Sequence, residues 1–317
     1  MRVGFIGLGN VGAKLAGSLL RNGHELIVRD LDHSAATRFL AEGATWGESP
    51  ADMARAAEVV VTCLPSPAAS AATLEGPDGL LRGLGPGTTW LEMSTNDAEE
   101  VRRLAALVSA MGASAVDCPV SGGCHRAATG NISIFAGCER ETFDRVLPVL
   151  SSMGRRILHT GGVGTASILK VITNYLATAH LVATAEALAT ARAAGMDLAT
   201  AYEAIRISSG NSFVHETESQ VILNGSRDIS FTMDLVLKDI GLFQRIADRA
   251  GVPLELNPKL VEIFEDGQAR YGPREWSSNI IRRLEDATGL AVLADGFPAE
   301  LTDDEPEEPG SEVVPRR

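Results

Sequence analysis

Two kinds of hydrophobic pattern divide this 317-residue chain. Through the first half, short apolar runs recur between stretches of helical period. Residues 2–6 (RVGFI) form one such run, and residues 25–29, 58–62 (EVVVT), 88–92 and 114–116 repeat it. Short apolar runs bounded by turn residues predict buried strands. Between them, residues 13–21, 34–42, 97–111 and 140–153 carry the apolar spacing of amphipathic helices. Strands alternating with helices predict an α/β fold built on a mostly parallel, doubly wound sheet. Residues 131–136 alternate apolar and polar positions after a glycine-rich stretch and are expected to return antiparallel. Residues 155–159 are expected to close the sheet.

A different pattern begins after Gly161. From Thr165 the chain reads as one helix of roughly 30 residues, ~45 Å long at 1.5 Å per residue. No Asp, Glu, Lys or Arg occurs between Lys170 and Glu186. Apolar or small residues cover every face, which predicts a helix buried on all sides. The uncharged interval also holds Asn174 and His180, and reads as too short and too polar for a membrane span. Further helices are expected at 198–207, 233–250, 257–271 and 277–288. The organisation predicted is an α/β domain over 1–161, an all-helical domain entered by the long helix over 162–298, and a tail over 299–317. The tail carries Pro306, Pro309, Pro315 and most of its charge as acid. Such a segment is expected to be extended or disordered, or to lie on a partner subunit.

Charge narrows the partners. The net charge of −13 argues against nucleic acid and anionic membranes. The N-terminus passes directly from Met1-Arg2 into VGFIGLG, without the features of a signal peptide. Cys63, Cys118, Cys124 and Cys138 have no paired spacing, so neither disulfides nor a structural zinc is expected, and a reducing cytoplasm is the default. No cluster of His, Cys, Asp or Glu suggests a metal.

Candidate chemistry begins at Gly7-Leu8-Gly9-Asn10-Val11-Gly12, which follows the first strand and opens the first helix. The second strand ends in Asp30. A G-x-G-x-x-G loop inside one βαβ unit, with an acid about 20 residues on, is a dinucleotide-binding pattern. Gly7 suits the tight turn, Gly9 the approach of a pyrophosphate, and Gly12 close packing of helix on strand. The helix N-terminus offers N–H groups and positive dipole to phosphates. Leu64-Pro65 and Thr95 end later strands, so all these residues gather where doubly wound sheets bind ligands. Ser121-Gly122-Gly123 forms a turn whose N–H groups and hydroxyl suit an anion. Lys170 and Asn174, four apart, share one helix face. A lysine aimed into an apolar interior is costly to desolvate; a snorkelling lysine is the plainer alternative.

These motifs resemble those of the β-hydroxyacid dehydrogenase family, which contains 3-hydroxyisobutyrate and tartronate-semialdehyde-type dehydrogenases. GLGNVGAKL stands for the family's opening G-L-G-x-M-G-x-x-M, with Val11 and Leu15 replacing methionines. DCPVSGGCHRAATG stands for its substrate motif, with Cys118 for alanine and Arg126 for glycine. GVGTASILKVITN stands for its catalytic motif, and Lys238-Asp239-Ile240-Gly241-Leu242 for its late K-D-x-x-L.

The resemblance implies reversible hydride transfer between a nicotinamide cofactor and a small 3-hydroxy acid. It makes Lys170 the acid/base and lets Asn174 hydrogen-bond the substrate. Ser121, Gly122 and Gly123 would hold a carboxylate, and Lys238 would reach towards the cofactor with Asp239 beside it. It further implies a homodimer or homotetramer built through the helical domain. Asp30 favours NAD, since a carboxylate there binds the ribose diol and repels a 2′-phosphate; Arg29 should point to the opposite face, and NADP stays open. Arg126 either faces solvent or adds a fixed charged fork beside the anion site, with His125 as a further donor. The alternatives are an imine reductase-like enzyme or a non-catalytic nucleotide-binding scaffold, and Lys170 counts against both.

Overall fold

The computed structural model describes residues 1–316 and separates into two compact units. The first comprises residues 1–170 together with the tail from Asp303; the second is Val171–Thr302.

The first unit is built on a ten-stranded sheet. Its strands are β1 (Arg2–Ile6), β2 (Glu25–Arg29), β3 (Thr45–Trp46), β4 (Val59–Thr62), β5 (Thr89–Glu92), β6 (Ser114–Asp117), β7 (Val120–Ser121), β8 (Ile132–Gly137), β9 (Gly154–Gly161) and β10 (Ser311–Glu312). They lie in the order β10-β9-β8-β6-β5-β4-β1-β2-β3, with β7 beside β8. β1 pairs in parallel with both β2 and β4, so the chain reverses its direction across the sheet there. That reversal opens the crevice in which doubly wound sheets take their ligands. The antiparallel return expected of residues 131–136 is present as β8 against β6 and β7.

Strand alternation divides the side chains between two cores. Val59 and Val61 join Val3, Phe5, Leu15 and Val28 on one face. Val60 joins Ile6, Ile27, Met53 and Trp90 on the other. The covering helices are α1 (Gly12–Arg21), α2 (Thr37–Ala41), α3 (Pro50–Ala56), α4 (Pro67–Glu75), α5 (Ala98–Ala110), α6 (Gly123–Ala128) and α7 (Arg140–Ser151). Of these, α3, α4 and α6 were not read from the hydrophobic pattern. α3 and α4 start alike: Ser49 and Ser66 accept the N–H groups of Asp52 and Ala69, and proline takes the first helical position. Ser-Pro at a helix start carries that signal even where periodicity is weak.

Of the alternatives expected for the tail, the structure shows the extended one: within the first unit it adds β10 in parallel to β9, outside the strand that was expected to close the sheet. Gly310 N–H donates to the Ser151 carbonyl at 2.9 Å, and Val313 N–H to that of Ile157 at 2.7 Å. Its acids meet arginines of the same unit, Glu307 with Arg21, Glu308 with Arg155 and Glu312 with Arg140. The tail's own composition holds no trace of those partners.

Helix α8 (Thr165–Ala193) leads into the second unit, which continues with α9 (Leu198–Arg206), α10 (Phe213–Asn224), α11 (Met233–Ala250), α12 (Leu256–Tyr271) and α13 (Arg282–Thr288). Leu181, Ala185 and Leu188 of α8 pack with Tyr202, Ile222, Ile240 and Phe264 in one core. α10 was missed because its apolar residues Val221, Ile222 and Leu223 are consecutive rather than spaced along one face. The expectation that α8 is buried on all sides does not hold. Leu169 and Leu176 are exposed, as are His180, Ala183, Ala187 and Thr190. Much of its uncharged surface is alanine and threonine, small side chains that cost little to leave in water. By length and composition alone, with a mean hydropathy of 1.2, α8 does reach the range of a membrane-crossing helix. Its apolar length was therefore underestimated, although its second half belongs to a protein core.

Candidate active site

The glycine loop shows three glycines with different work. Gly7 has φ +99°, and a Cβ there would stand 2.3 Å from the Cys63 carbonyl oxygen at the end of β4. A Cβ on Gly12 would stand 2.0 Å from the Gly7 carbonyl. Packing alone therefore excludes side chains at both positions. Gly9 is different, since nothing lies within 4 Å of where its Cβ would be. Open space at Gly9, flanked by Leu8, Asn10 and Val11, is what the approach of a pyrophosphate requires. No side chain caps α1; Ala13 N–H donates to the Gly9 carbonyl and Lys14 N–H to that of Val11, both at 2.9 Å, and the positive end of the helix dipole lies at this loop.

Asp30 is tied into this loop. Its Oδ2 accepts the Leu8 N–H at 2.6 Å, and its Oδ1 accepts the Asp32 N–H at 3.0 Å. A carboxylate held so stands beside the glycine loop at the end of β2. Arg29 points elsewhere: its guanidinium donates to the carbonyls of Gly47 and Glu48 and lies over the Trp46 ring. Strand alternation separates the two charges.

Further ends of strands line the same crevice. Leu64 N–H donates to the Ser94 hydroxyl at 2.7 Å, and Ser94 N–H donates to Glu92 Oε1 at 2.8 Å. This chain ties the turn after β4, with Leu64 and Pro65, to the turn after β5, which carries Thr95. Glu92 is fully buried, and burial pushes its carboxyl above the ordinary range. The sequence reading did not single it out. Its signal was an acid closing an otherwise apolar strand.

Ser121 ends β7, and Gly122 and Gly123 both adopt positive φ, at +132° and +85°. The turn expected there continues into the short helix α6, which carries His125 and Arg126. Arg126 approaches Glu305 of the tail at 3.8 Å, both groups being partly exposed. Burial, with Arg126 alongside, lowers the His125 pKa below its ordinary value, favouring the neutral ring.

Lys170 is buried, with 8 % of its surface exposed. In the second unit, Asn174 Nδ2 donates to Asp239 Oδ2, and Lys238 Nζ lies 3.0 Å from Asp239 Oδ1. Asp239 is 1 % exposed, while Asn174 and Lys238 are partly exposed, so a buried carboxylate holds two half-buried neighbours and the Lys238–Asp239 pair is not a fully solvated one. The fold thus gathers Gly7–Gly12, Asp30, Leu64, Pro65 and Thr95 at one crevice of the first unit, and Asn174, Lys238 and Asp239 in the second. Among the described residues no group of three or more His, Cys, Asp or Glu is placed to hold a metal.

Comparison with known proteins identifies the family and agrees with the fold. Residues 2–162 match the family model for the NAD binding domain of 6-phosphogluconate dehydrogenase. Residues 164–284 match that for the NAD-binding region of NADP-dependent 3-hydroxyisobutyrate dehydrogenase. The chain is 32% identical over 293 residues to the 2-(hydroxymethyl)glutarate dehydrogenase of Eubacterium barkeri, a match covering 92% of this chain and 97% of that one. It is 33% identical over 294 residues to the NAD-dependent L-serine dehydrogenase of Pseudomonas aeruginosa, covering 90% and 98%. The crystal structure of 3-hydroxyisobutyrate dehydrogenase from Salmonella typhimurium superposes with a TM-score of 0.82 at 30% identity, covering 89% of this chain and 99% of that one. Likeness of this extent means that the chain belongs to the β-hydroxyacid dehydrogenase family and is an NAD(P)-dependent oxidoreductase of CH–OH groups.

Proposed function

We propose that the chain interconverts a small 3-hydroxy acid and its semialdehyde or keto acid, with Lys170 as the acid/base. The burial of Lys170 carries this reading. Proton transfer to a bound hydroxyl gives a use to a buried lysine placed one helical turn before Asn174 on α8. The nicotinamide, when bound, supplies or accepts the hydride. Lys170 Nζ takes the hydroxyl proton during oxidation and returns it during reduction. Asn174, oriented by Asp239, hydrogen-bonds the substrate, and Lys238 neutralises Asp239 on the cofactor side. Ser121 and the backbone of Gly122 and Gly123 hold the carboxylate.

NAD is the favoured cofactor. The Asp30 carboxylate offers acceptors to a ribose diol and repels a 2′-phosphate, while Arg29 is engaged with backbone carbonyls. Arg126 extends the anion site: it stands on α6, which continues directly from the Ser121–Gly122–Gly123 turn, and its guanidinium is partly exposed. Substrates with oxygen beyond the 3-hydroxy acid, such as threonate or a dicarboxylic hydroxy acid, then suit the site better than 3-hydroxyisobutyrate. Assembly as a homodimer or homotetramer covers Leu169 and Leu176, and the enzyme works in the cytoplasm on a soluble metabolite.

The test is reduction of NAD, followed at the reduced-nicotinamide absorbance, with a panel of hydroxy acids. Polar members are expected to show the highest kcat/KM. Loss of a charge-assisted hydrogen bond costs about 1.5–3 kcal/mol, so Arg126→Gly should lower kcat/KM for them about 10–100-fold and leave 3-hydroxyisobutyrate unaffected. Turnover of cyclic imines with none of hydroxy acids would contradict the reading.

A further inference from the structure

Asp117, the last residue of β6, is fully buried, and no step described so far uses it. Its Oδ2 accepts the backbone N–H of Ser167 at 2.8 Å, and its Oδ1 accepts the Ser167 hydroxyl at 2.6 Å. Ser167 is itself fully buried in the first turn of α8. It precedes Lys170 by three residues, hence lies one turn below it on the same side of the helix. In the other direction, Asp117 leads within four residues to Ser121, Gly122 and Gly123. One carboxylate therefore joins the start of the lysine-bearing helix to the strand that feeds the anion-binding turn.

This placement is costly. Burial pushes the Asp117 carboxyl up, and the two bonds from Ser167 pull it back. A Ser, Thr or Asp immediately before the helix would satisfy the same N–H without taking a carboxylate out of water. A remote acceptor, fifty residues earlier in the chain, adds what a local cap lacks: a fixed height and rotation of the first turn of α8 against β6.

We propose that Asp117 is a positioning residue for hydride transfer, acting through Ser167 to hold Lys170 in register with the Ser121–Gly122–Gly123 turn. The inference rests on the reading of Lys170 as the acid/base. A displacement of the acid/base by about 1 Å is enough to lower turnover about 100-fold.

The test uses full-length Asp117→Asn, Ser167→Ala, the double variant and Lys170→Ala, assayed with NAD and 3-hydroxyisobutyrate. NADH affinity is measured by titration and folding by thermal melting. Asp117→Asn keeps the volume but has one amide oxygen for the two Ser167 donors and the backbone N–H of Gly164. It should lower kcat by about 10–100-fold, with NADH affinity and the KM for NAD within about threefold of wild type. Ser167→Ala should lower kcat less, and its effect should nearly vanish in the Asp117→Asn background because both act through one contact. A folded, NADH-binding Asp117→Asn with wild-type kcat overturns the proposal, as does a loss confined to melting temperature or NADH affinity. If Asp117→Asn fails to fold, Ser167→Ala decides: reduced kcat supports the proposal and wild-type kcat overturns it. Lys170→Ala separates the two levels. If it keeps turnover, the acid/base reading fails; if it alone loses turnover, only the positioning role fails.

Discussion

The amide nitrogen of Asn174 donates to Oδ2 of Asp239, a carboxylate 65 residues further on that is 1 % exposed. The same carboxylate meets Lys238 Nζ through its other oxygen at 3.0 Å. Asn174 is thus not a freely rotating amide, because one of its donors is committed. Asp239→Asn removes the charge that holds both neighbours while keeping the shape. Bonds of this kind are worth about 1.5–3 kcal/mol, so kcat/KM for the hydroxy acid should fall about 10–100-fold. Steady-state kinetics alongside a melting curve check this; a change in stability with unaltered kcat/KM would make the contact purely structural.

Asp30 does two things at once, and its variants separate them. Its Oδ2 anchors the Leu8 N–H at 2.6 Å. Asp30→Ala removes that anchor together with the ribose acceptor, whereas Asp30→Ser keeps a short acceptor and drops the charge. Both should weaken NAD binding, and both should narrow the preference for NAD over NADP because the repulsion of a 2′-phosphate is gone. kcat/KM for each cofactor measures it. A wild-type enzyme that already prefers NADP would remove Asp30 as the selector.

Glu218 of α10 supplies a pH signature. Burial pushes its carboxyl from the ordinary 4.5 up to about 8, and its Oε2 has no hydrogen-bond partner among the described residues. Between those values the folded chain retains a proton that the unfolded chain releases. Stability therefore falls as pH rises through the interval from about 4.5 to about 8. Glu218→Gln cannot release the proton, so its melting temperature should decline less between pH 5 and pH 8 than that of wild type. Parallel declines would show that Glu218 does not titrate in this window. Glu92 and Asp117, raised in the same direction, contribute with the same sign, whereas the lowered pKa values of His24 and His125 contribute with the opposite one.

Much of this architecture was legible because it is local. The βαβ unit is written in Arg2–Ile6, the three glycines and Asp30, and the alternation of residues 131–136 gave the antiparallel strand. The separate work of the three glycines was legible too: packing demands Gly7 and Gly12, and Gly9 faces open space. What escaped the sequence is long-range. Asp117 with Ser167, Asn174 with Asp239, and Arg21 with Glu307 join residues 50, 65 and 286 positions apart. The helices α3, α4, α6 and α10 escaped for another reason, since their starts are set by caps or turns and their apolar residues do not mark one face. The exposed stripe of α8 escaped because apolar composition does not state what covers it.

The central claim is that Lys170 moves the proton. Its most direct measurement is kcat of Lys170→Ala with NAD and the best hydroxy acid of the panel, beside NADH affinity by titration. General acid–base groups contribute about 10²–10⁴-fold, so the variant should lose that much turnover while binding NADH as wild type does. Wild-type turnover in the folded variant would contradict the account.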